Sequence, residues 1–344
     1  MKKIGIILII VFILLVVTSV VLVGVGYYLN ESTDKSSEKS IDFNVEKGSS
    51  FNLIVEKLEE AELIRSALFL KVYNRLTGSS SLIKTGTYSI EKKLTSLGII
   101  KQLVDGRQKL VFVVIPEGKT IRGVASILSE AGITGYDDFV AAAKDGSYLQ
   151  KYDIDADSLE GFLFPDTYSF QKDFPASVIV KHMVDLFFDK LNDVYPDYTM
   201  LTGQQIYNKI VLSSIIEREY YVADEAAMMA SVFYNRLDKG WRLQSCATIV
   251  YVITEELKKN HPGRLFYSDL EIDSRFNTYM YYGLPPAPIA NPGLIALDAV
   301  FSPAQTEYMF FVVNDTQERS HYFSKNLSDH NKVGRDYVSN FRSK

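Results

Sequence analysis

Two carboxylates one residue apart, Glu217 and Glu219, stand in the stretch Ser213-Ser214-Ile215-Ile216-Glu217-Arg218-Glu219, which otherwise reads as an apolar helix. At about 100° per residue they lie about 200° apart on such a helix, so they face opposite ways and cannot serve one bond together. Glu217 shares its face with Ser213, Ser214, Tyr220 and Tyr221; Glu219 shares its face with Ile215, Ile216 and, where the helix continues, Val222 and Ala223. The apolar setting belongs to Glu219. Desolvation disfavours a carboxylate, so this side chain should keep its proton near neutrality, as a general acid must. A core acid paired with Arg218 or Arg236 would account for the same residues, because ion-pair networks also perturb carboxyl groups.

Other chemistries find little support. The four histidines, His182, His261, His321 and His330, are scattered, no H-E-x-x-H occurs and Cys246 stands alone, so no metal is expected. There is no G-x-S-x-G and no glycine-rich phosphate cradle, and Cys246 reads as a small buried hydrophobe; no cofactor is expected. What remains is a carboxylate with a large supply of Tyr, Asn and Gln, the residues that stack on sugars and hydrogen-bond to them. Asn235-Arg236, Gln244-Ser245, Asn277-Thr278-Tyr279, Asn291-Pro292 and Ser320-His321-Tyr322-Phe323 all follow Glu219. Each alone is a common turn or cap. Together, in an exported protein, they point to a polysaccharide cleft.

Export follows from the first residues. After Lys2 and Lys3 no charge occurs from Ile4 to Asn30, a length that at about 1.5 Å per residue crosses a hydrocarbon core of about 30 Å. The run is too long for a cleaved signal and has no cysteine for lipidation, so it reads as an uncleaved anchor. Lys2 and Lys3 favour a cytoplasmic N-terminus, and Tyr27 and Tyr28 suit the far interface. The expected location is therefore the cell membrane, single-pass, with the catalytic part outside the cytoplasm. That part is globular by composition, 47% of the chain being hydrophobic and 12% aromatic. Its acidic balance argues against a nucleic-acid partner, and one cysteine rules out an intrachain disulfide framework.

The expected organisation is α+β: a tail at 1–3, a transmembrane helix at 4–29, a solvated stalk at 30–40, a small module at 41–106 and a catalytic domain at 107–344. In the module, patterning predicts a strand at 41–45, helices at 51–63 and 67–76, a strand at 85–88 and a helix at 94–104 closed by Asp105-Gly106. Beyond it come a strand at 109–115, helices at 121–131, 135–144, 174–195, 204–220 and 223–238, a Pro-rich run at 283–292 and a strand at 308–313. No repeat of 20 to 50 residues recurs.

At several of these positions the chain resembles the endolytic murein transglycosylases (the MltG, or YceG-like, family). The resemblance rests on Glu160-Gly161-Phe162-Leu163-Phe164-Pro165-Asp166-Thr167-Tyr168, the Ser214 to Glu219 segment, Ala230-Ser231-Val232-Phe233-Tyr234-Asn235-Arg236-Leu237 and Leu243-Gln244-Ser245. Asn277-Thr278-Tyr279, Gly283-Leu284-Pro285-Pro286 and Ile289-Ala290-Asn291-Pro292-Gly293 extend it, from the anchor to about Tyr337. It implies a LysM-like module followed by a mixed α/β catalytic domain. It also implies non-hydrolytic cleavage of the β-1,4 bond between N-acetylmuramic acid and N-acetylglucosamine in nascent glycan strands, leaving 1,6-anhydro ends and ending elongation.

The second glutamate of the family's E-x-E pair is the catalytic acid, and it falls on Glu219. One carboxylate suffices where ordinary glycosidases need two, because the sugar's own 6-hydroxyl attacks. Glu217, Asn235, Gln244, Ser245, Asn277, Tyr279 and His321 are the expected substrate-binding residues, although loop architecture would equally explain Asn277 and Tyr279, and a structural role His321. Glu160 and Asp166 read as braces of an aromatic turn. Two departures stand out: the family's L-Q-S-D-P-T is Leu243-Gln244-Ser245-Cys246-Ala247-Thr248 here, and Tyr220 replaces a small residue. A thiol cannot supply a carboxylate's charge. The rivals are thus a catalytically weak peptidoglycan-binding scaffold and a regulator docked on cell-wall synthases.

Overall fold

The computed structural model describes residues 2–78, 83–315 and 317–342. Outside them lie Met1 of the expected tail, 79–82 of the expected module, and Thr316 and 343–344 of the expected catalytic domain. The chain falls into two compact units, Met1–Val111 with Phe170–Lys172, and Phe112–Ser169 with Asp173–Lys344.

The first unit opens with α1 (Lys2–Asn30), whose stretch Ile6–Asn30 is long and apolar enough to cross a membrane. Then follow β1 (Ser40–Val45), α2 (Phe51–Glu60), α3 (Ala67–Thr77), β2 (Gly86–Glu91) and α4 (Ser96–Asp105). Strands β1 and β2 pair antiparallel with Phe43 opposite Tyr88. Alternation sends Phe43, Val45, Tyr88 and Ile90 to one face, where they meet Val55, Leu58, Leu70, Ile99 and Leu103 from the helices. Ser50, Ser66 and Thr95 cap α2, α3 and α4 by accepting from the third amide of each helix.

The stretch expected to be a solvated stalk is packed at its start. The Arg65 guanidinium donates to Ser32 O at 2.9 Å and lies 4.5 Å over the Tyr28 ring; Ser32 is buried. Leu97 N donates to Asn30 Oδ1, Ser96 Oγ to Leu29 O and Thr33 Oγ1 to Glu62 O. Polar composition suggested solvation, but here the polar groups satisfy exposed helix ends.

Strands β3 (Val111–Val114) and β4 (Thr167–Phe170), all but their residues Val111 and Phe170 in the second unit, form a two-stranded sheet, and Ile115 N donates to Asp166 O beyond it. Helices α5 (Ile121–Glu130), α6 (Tyr136–Ala143) and α7 (Ala176–Val194) follow, then α8 (Gly203–Ile216) and α9 (Ala226–Asp238). After α10 (Cys246–Tyr251) and α11 (Leu294–Phe301), a hairpin of β5 (Phe310–Val313) and β6 (His321–Ser324) leads into α12 (Leu327–Arg342). The core centres on α8, whose last turns are buried on every side from Ile210 to Ile216 by α9, α11 and the neighbouring loops. Helix α8 ends at Ile216, short of the expected residue 220, because Arg218 N and Glu219 N bond to the carbonyls of Ile215 and Ile216 and tighten the chain into a turn.

One buried amide ties the second unit together. Asn291 Oδ1 accepts from Gly161 N and Leu163 N, both at 2.9 Å, while Nδ2 donates to Lys119 O and Glu160 Oε1. Gly161 has φ of 90°, and a Cβ there would lie 2.6 Å from Pro288, so only glycine fits the turn. Glu160 also accepts from Ile121 N at the start of α5, as a brace.

Asn291→Ala strands two backbone amides and a carboxyl group in the interior, and should lower the unfolding free energy in urea by about 2 to 4 kcal/mol. Burial pushes the Glu160 carboxyl from 4.5 up to about 8 and Glu217 up to about 7. Each holds its proton more tightly in the folded state, so the stability it contributes is complete below pH 4.5 and lost as pH rises through the folded value. Urea stability should therefore fall between about pH 4.5 and 8, with a shallower slope in Glu160→Gln; equal slopes would disprove the assignment.

Candidate active site

Glu219 stands on the turn that follows α8, not within the helix. Its carboxylate Oε1 accepts a short hydrogen bond from Ser245 Oγ and a longer one, at 3.4 Å, from Ala247 N. Protein encloses the group apart from the surface it shows to a cavity of about 320 Å³, and this burial raises its pKa against the opposing pull of the Ser245 hydroxyl. The neighbouring arginines are engaged elsewhere. Arg218 Nη1 donates to Gly118 O, and Arg236 donates to Met309 O and Leu243 O at 2.7 and 2.6 Å. Glu219 is thus not a member of an ion pair with either of them.

The groups that hold Glu219 are themselves held. Ser245 N donates to Thr278 Oγ1, Thr248 Oγ1 donates to Ser245 O, and the two threonine hydroxyls meet at 3.0 Å. This chain of small polar groups joins the start of α10 to the loop at residues 277–279 and fixes the serine hydroxyl toward the acid. Ala247 supplies an N–H that a proline in its place would lack. Gln244, at φ of 55°, takes the left-handed conformation that turns its exposed side chain along the cavity wall. Cys246 Sγ and Tyr279 Oη meet at 3.1 Å on the same wall, and burial raises both pKa values.

The fold brings together Glu219, Gln244, Ser245 and Tyr279 from the expected residues. The others serve different purposes. Asn277 is fully buried, donating to Leu270 O and Ile272 O and accepting from Tyr279 N, so it shapes the loop beneath Tyr279. Asn235 Nδ2 donates to Thr306 O and Tyr308 O, bracing the approach to β5. The His321 ring bonds to Glu225 at 2.7 Å with its side chain buried, and it does not line the cavity. Glu217 turns away into a second cavity with Glu117, Tyr220 and Tyr251, where its Oε2 accepts from Gly293 N. Helix geometry separated the two acids correctly even though the helix stops before both. Sequence patterning missed the far wall: Phe310 on β5, and Leu327 and His330 on α12. The i, i+3 spacing of Leu327 and His330 was its sole trace in the sequence.

A carboxyl group whose pKa burial raises, with one hydroxyl and one amide on the same oxygen, leaves its other oxygen for a substrate. It can give a proton to an oxygen lodged in the cavity and take one back.

The chain as a whole is similar to known proteins. The YceG-like family model matches residues 43–336. The endolytic murein transglycosylase of Bacillus subtilis is 28% identical over 335 residues, covering 93% of this chain and 91% of that protein. A Streptococcus pneumoniae protein of the same name is 25% identical, covering 89% of this chain and 60% of that longer protein. The crystal structure of a yceG-like protein from Listeria monocytogenes matches with a TM-score of 0.57 and 30% identity, covering 86% of this chain and all of that one. With a family model that spans most of its length and a solved relative of the same fold, the chain belongs to the YceG-like family.

Proposed function

We propose that the chain is a lytic transglycosylase that cuts peptidoglycan strands from a membrane anchor. The observation that carries the reaction is the enclosed Glu219 carboxyl, aimed into a cavity by Ser245 and Ala247 while Arg218 and Arg236 are occupied elsewhere. The proposed substrate bond is the β-1,4 link from N-acetylmuramic acid to N-acetylglucosamine. Glu219 protonates the glycosidic oxygen as the bond to C1 breaks. The 6-hydroxyl oxygen of the same muramic acid bonds to C1, and its proton passes to the Glu219 carboxylate, which restores the acid and leaves a 1,6-anhydro end. No water enters, so no second carboxylate is required at the bond. Tyr279 and Gln244 are the proposed sugar contacts, and the Arg236 charge behind the wall favours the transient carboxylate.

The names of the Bacillus and Streptococcus relatives support this activity. The β1-α2-α3-β2 order supports a LysM-like role for the first unit as a holder of glycan. Helix α1 serves as the anchor, with its N-terminus in the cytoplasm and the chain that follows it on the far side.

Glu219→Gln should lower the yield of anhydro-ended products from uncrosslinked murein, read by mass spectrometry, by about 10² to 10⁴-fold with no loss of urea stability. Activity retained in this variant, or lost equally in Glu217→Gln, would remove Glu219 from the role. Because Glu219 must be protonated to act, kcat/KM should fall as pH rises through its elevated pKa. In Ser245→Ala a bond that favours the charged form is gone, so this alkaline limb should move to higher pH; a shift downward or none contradicts the contact.

A further inference from the structure

The first unit carries an apolar surface that its core does not use. On α3, Ala67 and Leu70 face inward, while Leu68, Val72 and Leu76 are 70%, 53% and 82% exposed. Leu68, Val72 and Leu76, at i, i+4 and i+8, form one exposed stripe along the helix, beside Phe69, which packs against the core. The stripe begins beside α1: a Cβ built on Gly26 would lie 3.9 Å from the Phe69 ring, an ordinary contact distance, so the two helices run side by side at this point.

The register gives α3 a direction. Arg65, just before α3, binds Ser32 O and covers Tyr28, whereas Phe69 lies against Gly26. Proceeding along α3 therefore means moving back down α1, toward its apolar middle. Leu76 lies seven residues farther, up to about 10 Å of helix rise beyond Phe69. A 30 Å hydrocarbon core takes about 20 residues of α1, which ends it a few residues before Gly26 when Lys2 and Lys3 stay in water. Val72 and Leu76 then fall at the depth of the lipid headgroups and first methylenes. Arg75, exposed beside the stripe, is placed to meet lipid phosphate.

We infer that α3 is an interfacial helix whose Leu68-Val72-Leu76 face lies in the outer surface of the bilayer, so that the body of the first unit rests on the membrane and is not held off it. The occupant is lipid, because the stripe continues the exposed apolar sheath of α1 and starts where the two helices touch. The inference rests on the proposed anchor role of α1, and the test separates the two.

The full chain carrying Cys246→Ser is labelled with an environment-sensitive fluorophore at one introduced cysteine, Val16→Cys, Leu76→Cys or Glu62→Cys. It is then reconstituted in vesicles of phosphatidylethanolamine and phosphatidylglycerol containing lipids with nitroxide on the upper acyl chain. Glu62 marks the opposite end of α3, where its carbonyl meets Thr33. Strong quenching at Val16 and Leu76 with little at Glu62 is expected. Quenching at Val16 alone, with Leu76 as unquenched as Glu62, overturns the interfacial helix and leaves the anchor standing. No quenching at Val16 overturns both.

Discussion

The hydrogen bond from the Ser245 hydroxyl to the Glu219 carboxyl is the constraint on which the candidate site depends. Burial alone would make Glu219 a proton reservoir with no fixed direction. The serine and the Ala247 amide share one oxygen and so orient the other. That arrangement explains an otherwise odd concentration of small hydroxyl residues: Thr248 and Thr278 bond to each other and to Ser245, and Asn277 holds their loop from below. The acid's surroundings pull both ways on its proton, with enclosure outweighing the hydroxyl.

Much of this was legible in the chain. Alternation and helical spacing placed β1, α2, α3, α4 and α5 within a few residues of their ends, since each buries one face and is punctuated by a cap or a glycine. The helix α8 kept its start but not its end. It is buried on all sides in its last turns, so no polar residue announced where it would stop. Of the apolar neighbours that singled out Glu219, Ile215 and Ile216 are buried whereas Ala223 is exposed, and the turn, not the helix, aims the side chain. Whether Asn235, Asn277 and His321 face sugar or backbone could not be read from the sequence, because polar residues near a cleft look alike there. Only tertiary structure reveals that each already has partners.

The polar stretch after α1 teaches the same lesson from another side. Ser, Thr, Asn and Glu suggested a hydrated tether, yet Asn30 and Ser32 are bonded to α4 and to Arg65. A helix end needs hydrogen-bond partners, and residues that look like linker are well suited to provide them. Composition could not distinguish the two uses, because both draw on the same side chains.

Helix α12 closes one wall of the catalytic cavity with Leu327 and His330, the latter lying against Phe310 and close to Arg236. This helix is therefore also a wall of the cavity that Glu219 faces. A chain interrupted by a premature stop beyond β6 would retain every hydroxyl and carboxyl group assigned to chemistry and still present a breached chamber, open to bulk solvent on the side where the acid most needs shelter.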